Sequence, residues 1–253
     1  MPTVIAVANQ KGGVAKTTTV HTLGAALAEQ GQRVLLVDLD PQACLTFSAG
    51  LAPDELELSL HDLMLGRATA AEVLVKIDDG VHLLPATIDL AGAELHLLSK
   101  TGREYQLRRG LQPLRDDYDV ILIDCPPSLG ILTINGLTAA DEVLVPLQCE
   151  TLSHRGVGQL LETIEDVRAY TNAGLRVRGV IATMFDRRTR LAQQVVDDVP
   201  GRYGLSVLQP PVPKSVKVAE APNHGCTILR HASSSKGAKA YREIAAQLVP
   251  QPA

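Results

Sequence analysis

Along the chain, continuous runs of apolar and β-branched residues alternate with stretches in which apolar positions recur every three or four residues. The runs at 3–9, 33–40, 81–85, 119–124, 142–146, 177–184 and 206–208 read as strands. Several are apolar at successive positions, which is the pattern of a strand covered on both faces, as in a parallel sheet between helical layers. Helices are expected at 16–30, 59–65, 69–75, 89–99, 104–115, 131–139, 153–170 and 189–203, and a last one is capped by Ser233-Ser234-Ser235 and runs to about Val249. Gly31 stops the first of these, and Ser59 and Thr69 supply N-caps. Repeated βα units predict an α/β fold with a doubly wound, mostly parallel sheet and helices on both faces. No repeat, low-complexity tract or long linker interrupts the alternation, so 1–253 reads as one domain.

The first strand-to-helix turn carries the densest chemistry, Asn9-Gln10-Lys11-Gly12-Gly13-Val14-Ala15-Lys16-Thr17-Thr18. Adjacent glycines let backbone N–H groups converge on an anion, and the helix that follows adds its free N–H groups and positive dipole end. Lys16 adds a mobile charge, and the Thr17 hydroxyl can ligate Mg²⁺. Against the general phosphate-loop pattern G-x-x-x-x-G-K-[ST], the two glycines fall on Gln10 and Ala15. The variant pattern K-G-G-x-G-K-[ST] fits throughout except at Ala15. A left-handed backbone at Ala15 would cost about 1 kcal/mol relative to Gly.

Two further runs end in acids, one in Asp38-Leu39-Asp40 and the other in Asp124 after Val120-Ile121-Leu122-Ile123. Alone, each acid reads as a strand terminator or a helix cap. Beside a phosphate loop they supply what phosphoryl transfer asks of a protein, oxygen ligands for the metal shell and a group to orient water.

On these residues the chain resembles the ParA/MinD family of P-loop ATPases. Val34 to Gln42, Ile123-Asp124-Cys125-Pro126-Pro127-Ser128, Thr183-Met184-Phe185-Asp186 and Ala219-Glu220-Ala221-Pro222 are most similar to its chromosomal ParA, or Soj, branch. The resemblance implies a weak ATPase that uses ATP and Mg²⁺. Gly12, Gly13, Val14, Ala15, Lys16, Thr17 and Thr18 would hold the nucleotide, with Lys16 on the β/γ-phosphates. Thr17, Asp38 and Asp124 would serve the metal, and Asp40 would orient the hydrolytic water. Met184 and Pro213 would line the adenine end. Lys11 would reach across an ATP-sandwich homodimer to the partner's phosphates, and Gly130 would belong to the γ-phosphate-sensing segment. The implied partners are a ParB-type centromere-binding protein and non-specific double-stranded DNA, on a bacterial nucleoid in the cytoplasm.

Basic residues gather late, at Arg187, Arg188 and Arg190, at Lys214 and Lys217, and at Lys236, Lys239 and Arg242. Such a run is also what an ordinary solvated face looks like. By resemblance, Arg188, Lys214 and Lys217 would contact DNA phosphates, for which charge suffices. The formal net charge of −4 argues against a protein that coats nucleic acid in every state, and pairing two copies would double a local basic patch. The cysteines, Cys44, Cys125, Cys149 and Cys226, form no C-x-x-C pair, which predicts neither a zinc site nor a disulfide framework and fits a reducing cytoplasm. No apolar run approaches the roughly 18 residues of a membrane span. The mixed, small-residue end Tyr241 to Pro250 does not resemble a membrane-binding amphipathic helix, which weighs against the alternative of a MinD-like positioning ATPase.

Overall fold

The computed structural model describes residues 2–77, 80–150 and 154–249. Its first half runs β1 (Thr3–Val7), α1 (Lys16–Glu29), β2 (Val34–Asp38), α2 (Cys44–Ser48), α3 (Leu60–Leu65), α4 (Ala70–Val73), β3 (Val75–Lys76), β4 (His82–Leu84), α5 (Leu90–Leu98), α6 (Gln106–Leu111) and β5 (Val120–Asp124). The second half runs α7 (Ile131–Ala139), β6 (Glu142–Gln148), α8 (His154–Tyr170), β7 (Arg176–Thr183), α9 (Arg190–Tyr203), β8 (Val207–Leu208), α10 (Val216–Glu220), α11 (Ile228–His231) and α12 (Lys236–Ala246).

The strands form one sheet in the order β3-β4-β2-β5-β1-β6-β7-β8. Every pairing is parallel except β3 with β4. Successive residues of a strand face opposite sides, and both sides are buried. Val4 and Ala6 of β1 join Ile121 and Ile123 in the core under α5 to α9, while Ile5 and Val7 join Val120 and Leu122 in the core under α1 and α12. This is why β1, β2 and β5 are continuous apolar runs rather than alternating, with polar residues only at their ends. Pro146 sits in β6 without breaking the sheet, because the ladder to β1 already ends at Leu144 and its carbonyl instead accepts from the Asn9 amide at 2.7 Å.

The expected α/β architecture is present, with local departures. Strand β2 stops at Asp38, so Asp40 lies in the loop beyond it rather than on the strand. The helix expected over 104–115 breaks into α6 flanked by 3₁₀ turns at Arg103–Tyr105 and Gln112–Asp117, where Pro113 cannot continue an α-helix. The expected 69–75 helix ends at Val73 and passes straight into β3. The last helix ends at Ala246, and α2, α10 and α11 were not expected. Ser59, Thr69 and Ser235 cap as anticipated, the first two in reciprocal capping boxes with Asp62 and Glu72. Ser153, the expected start of α8, lies outside the described residues.

Candidate functional site

The C-terminal ends of β1, β2 and β5 lie side by side, which is where an open parallel sheet binds its ligands. Register sets Asp38 opposite Asp124 on the neighbouring strand, and Val7, the last residue of β1, opposite Asp124 on its other side. The turn after Val7 therefore leaves the sheet directly beside two carboxylates. A cleft of about 750 Å³ opens there. Its floor is Gly12, Gly13 and Ala15 with Lys16, Thr17 and Thr18, and Asp40, Pro127 and Asn223 stand on its walls.

The loop holds its shape through its own backbone and a few side chains. Gly13 and Ala15 both have left-handed backbones, with φ of 73° and 66°. Ala15 thus carries the strain that a glycine would avoid. Asn9 accepts from the Lys11 N–H at 2.9 Å, and the Thr183 hydroxyl donates to the Val14 carbonyl at 3.0 Å. Val14 is itself buried, so its side chain anchors the loop rather than facing the cleft. Ala15 offers no side-chain cap to α1, leaving the N–H groups of the first helical turn for an anion.

Lys16 is buried and donates to the Lys11 carbonyl at 3.2 Å. Burial pulls its ammonium below the usual range, and the nearby Asp124 and Asp40 oppose that shift. Asp38 is fully buried and well satisfied. Its Oδ2 accepts from the Thr46 N–H at 2.8 Å and the Thr46 hydroxyl at 2.7 Å, and its Oδ1 accepts from the Asp40 N–H at 3.3 Å. Asp40 accepts from the Gln42 N–H at 2.9 Å, which turns the loop and holds the carboxylate at the cleft.

Asp124 is the exception. Both of its oxygens are buried without a hydrogen-bond partner; the Thr17 hydroxyl is near enough to ease the charge but forms no well-shaped bond to either oxygen. Burial, and then the adjacent Asp38, push its carboxyl well above the usual range. An orphaned buried carboxylate beside a threonine hydroxyl and an open helix terminus is the donor set a nucleotide-bound Mg²⁺ needs, and the residues present fit that ion. Mg²⁺ is commonly held by one or two carboxylates together with phosphate oxygens and water rather than by an all-protein cage. Among the described residues no group of three or more His, Cys, Asp or Glu side chains converges into such a cage.

Lys11 does not line the cleft; it precedes Gly12 and is tied to its own chain. Its Nζ donates to Gln148 Oε1 at 3.1 Å and lies 3.8 Å from Glu150 Oε2. A Cβ on Gly12 would meet nothing within 4 Å, so the loop is open on that side. Met184, with φ of 52°, follows β7 immediately after the Thr183 that braces the loop. Neither Met184 nor Pro213 lines the cleft; Pro213 lines a separate one of about 590 Å³ with Arg187, Lys236 and Lys239.

The late basic residues come partly together. Lys214 N–H donates to the Phe185 carbonyl at 3.1 Å, which brings it beside Asp186, and Asp186 holds the Arg188 guanidinium at 3.0 and 2.8 Å. That contact, with the Arg188 N–H adding another, holds the Asp186 carboxyl down at about 2. Arg188, Lys214 and Lys217 are all exposed. Asn9 and Thr183 open motifs already singled out, though without the bracing roles seen here, and Asn223 follows the Ala219 to Pro222 motif; Thr46, Phe47 and Ile88 carry no such signal.

Sheet order, loop geometry and paired acids define a P-loop nucleoside-triphosphate-binding protein. A family model described as an AAA domain matches residues 2–177. The sporulation initiation inhibitor protein Soj of Bacillus subtilis is 42% identical over 249 residues, covering 98% of each chain. The chromosome-partitioning ATPase Soj of Thermus thermophilus is 48% identical over 246 residues, covering 97% of this chain and 94% of its own. Among solved structures, one from Mycobacterium smegmatis described as cobyrinic acid a,c-diamide synthase, with an ATP analogue and magnesium, superposes with a TM-score of 0.89 at 56% identity, covering 98% of this chain and 94% of its own. The chain belongs to the ParA/MinD family of P-loop ATPases.

Proposed function

We propose that this protein is a DNA-partitioning ATPase whose ATP-bound form is a homodimer with the nucleotides between the subunits. Lys16 and Thr17 hold the phosphates and Mg²⁺, Asp124 serves the metal, Asp38 supports the metal shell from behind, and Asp40 orients water. By resemblance the base is placed beyond the Thr183 brace, near Met184 and Pro213, outside the residues that line the phosphate cleft. The observation that carries the reading is Lys11, a second loop lysine next to the open Gly12, whose intrachain partners are a neutral amide and a half-exposed carboxylate. Releasing so weak a tie costs little, and a partner's phosphates are a stronger destination.

Once paired, two copies of the Arg188, Lys214 and Lys217 surface lie on one assembly, which binds DNA through phosphates without reading sequence. A ParB-type partner then stimulates hydrolysis and releases the dimer, on a nucleoid in the cytoplasm. The near full-length likeness to proteins named for chromosome partitioning supports this cargo. The test is light scattering and DNA binding of the purified protein with ATP, ADP and no nucleotide. Dimers and steeply salt-dependent DNA binding are expected with ATP alone, and Lys11→Ala should lose both; equal behaviour in all three conditions refutes the reading.

The Mycobacterium smegmatis likeness favours a second reading, ATP-driven amide formation on a corrin carboxylate. Burial raises the thiols of Cys125 and Cys149, and Cys44, although exposed at the surface, is raised by partial desolvation and the neighbouring Asp40 and Asp38, so none of these is an activated nucleophile for releasing ammonia from an amide donor. Incubation with cobyrinic acid, ATP and ammonia tests this directly by mass spectrometry. A MinD-like membrane cycle is disfavoured by α12, whose Ala238, Tyr241, Ile244 and Ala245 are buried in the core shared with α1.

A further inference from the structure

Thr46 lies on α2, fully buried, and its hydroxyl has two partners. It donates to Asp38 Oδ2 at 2.7 Å, while the Ala86 N–H just beyond β4 donates to the hydroxyl oxygen at 2.9 Å. A hydroxyl has one proton to give. With an N–H aimed at its oxygen, that proton points at Asp38. The Thr46 N–H reinforces the same contact at 2.8 Å. Thr46 is therefore a committed donor, and Asp38 Oδ2 a committed acceptor.

We infer that Thr46 is a positioning residue for the metal end of the site, pinning Asp38 as a support behind the metal shell so that Asp124 is the acid with both carboxylate oxygens free for the cation. The two acids face each other across adjacent strands. Were Asp38 free to rotate, either acid could turn toward the ion, and the shell would have two competing arrangements. Three directed hydrogen bonds remove one of them. The relay from the Ala86 N–H through the Thr46 hydroxyl to Asp38 also joins α2 to the segment after β4, so displacement of either element disturbs the Asp38–Asp40 loop. Partners of this kind, one shell removed from a metal, change its affinity about 10- to 100-fold when lost.

The inference rests on the assignment of the site to ATP and Mg²⁺, and the experiment separates the two. Binding of N-methylanthraniloyl-ATP is followed by fluorescence in EDTA and during Mg²⁺ titration, for the wild type, Thr46→Val, Thr46→Ser and Thr46→Cys. Valine keeps the shape and loses the donor. The Mg²⁺ concentration for half-maximal effect should rise about tenfold in Thr46→Val, with affinity in EDTA unchanged, and Thr46→Ser should restore it to within about twofold. Should the valine variant not fold, Thr46→Cys, a weaker donor of similar size, carries the test with the same expected direction. An unchanged Mg²⁺ requirement, or equal weakening with and without Mg²⁺, overturns the positioning role. A wild type whose binding ignores Mg²⁺ overturns the underlying site assignment instead.

Discussion

Replacing Asp124 with Asn should make the metal-free protein more stable while disabling its response to Mg²⁺-ATP. The carboxylate is buried with neither oxygen hydrogen-bonded, and it faces Asp38 across the sheet. A buried polar group left without a partner costs about 1–3 kcal/mol, and more when charged. Asparagine keeps the shape, carries no charge and has an N–H₂ to direct at Asp38. A gain of about 2 kcal/mol is expected near neutral pH, which for a chain of this size is a rise in Tm of roughly 4–8 °C. The sign with pH follows from the raised carboxyl. Below the unfolded value near 3.8, both states hold the proton and the penalty is absent. As pH rises toward the folded value, only the unfolded chain has given up its proton, so wild-type stability falls and the advantage of Asp124→Asn widens. Thermal unfolding in EDTA from pH 4 to 8 reads both effects. Adding Mg²⁺-ATP at about 100 times its dissociation constant should stabilise the wild type by about 2.7 kcal/mol and the variant far less. A variant that melts lower than wild type in EDTA at pH 7 refutes the idea that Asp124 is held at a cost for the metal.

Other positions give independent checks. Burial lowers the His21 imidazole to about 4, so between pH 6.5 and 4 the unfolded chain takes a proton that the folded one refuses. Wild-type stability should drop by about 3 kcal/mol over that window relative to His21→Leu, as read by urea unfolding. Gly225 has φ of 60°, and a Cβ there would lie 2.8 Å from the Gly50 Cα, so Gly225→Ala should cost roughly 2–4 kcal/mol and weaken nucleotide binding by shifting the Pro222–Asn223 wall of the cleft. Tyr241→Phe removes the 3.1 Å bond between the Thr19 and Tyr241 hydroxyls, strands a buried threonine, and should lower stability by about 1 kcal/mol without altering turnover.

Much of the site was legible in the linear pattern. A strand buried on both faces must be apolar until it leaves the sheet, so the first acid after such a run marks the sheet edge. Asp38 and Asp124 announced themselves that way, and the glycines and lysines after β1 did so by conformational need. The short elements were not legible. Periodicity has no room to appear in the five residues of α2 or the two of β3, and what holds those elements is contact with distant segments. The break of the 104–115 helix at Pro113 was readable, since proline cannot continue the hydrogen-bond ladder, but helical spacing on both sides obscured it.

The sequence by itself determined the fold class, the glycine- and lysine-rich loop and the acids at the strand ends beside it, because these depend on local backbone requirements and on the period of burial. Tertiary structure decided which acid is satisfied and which is orphaned. Asp38 and Asp124 look alike in the chain, and they differ because Thr46, from the helix beyond, and the Asp40 N–H donate to one of them. It also decided where Lys11 rests, on Gln148 and Glu150 more than 130 residues away. Hydrogen-bond partners that far apart leave no periodic trace, and they are set only when the strands align.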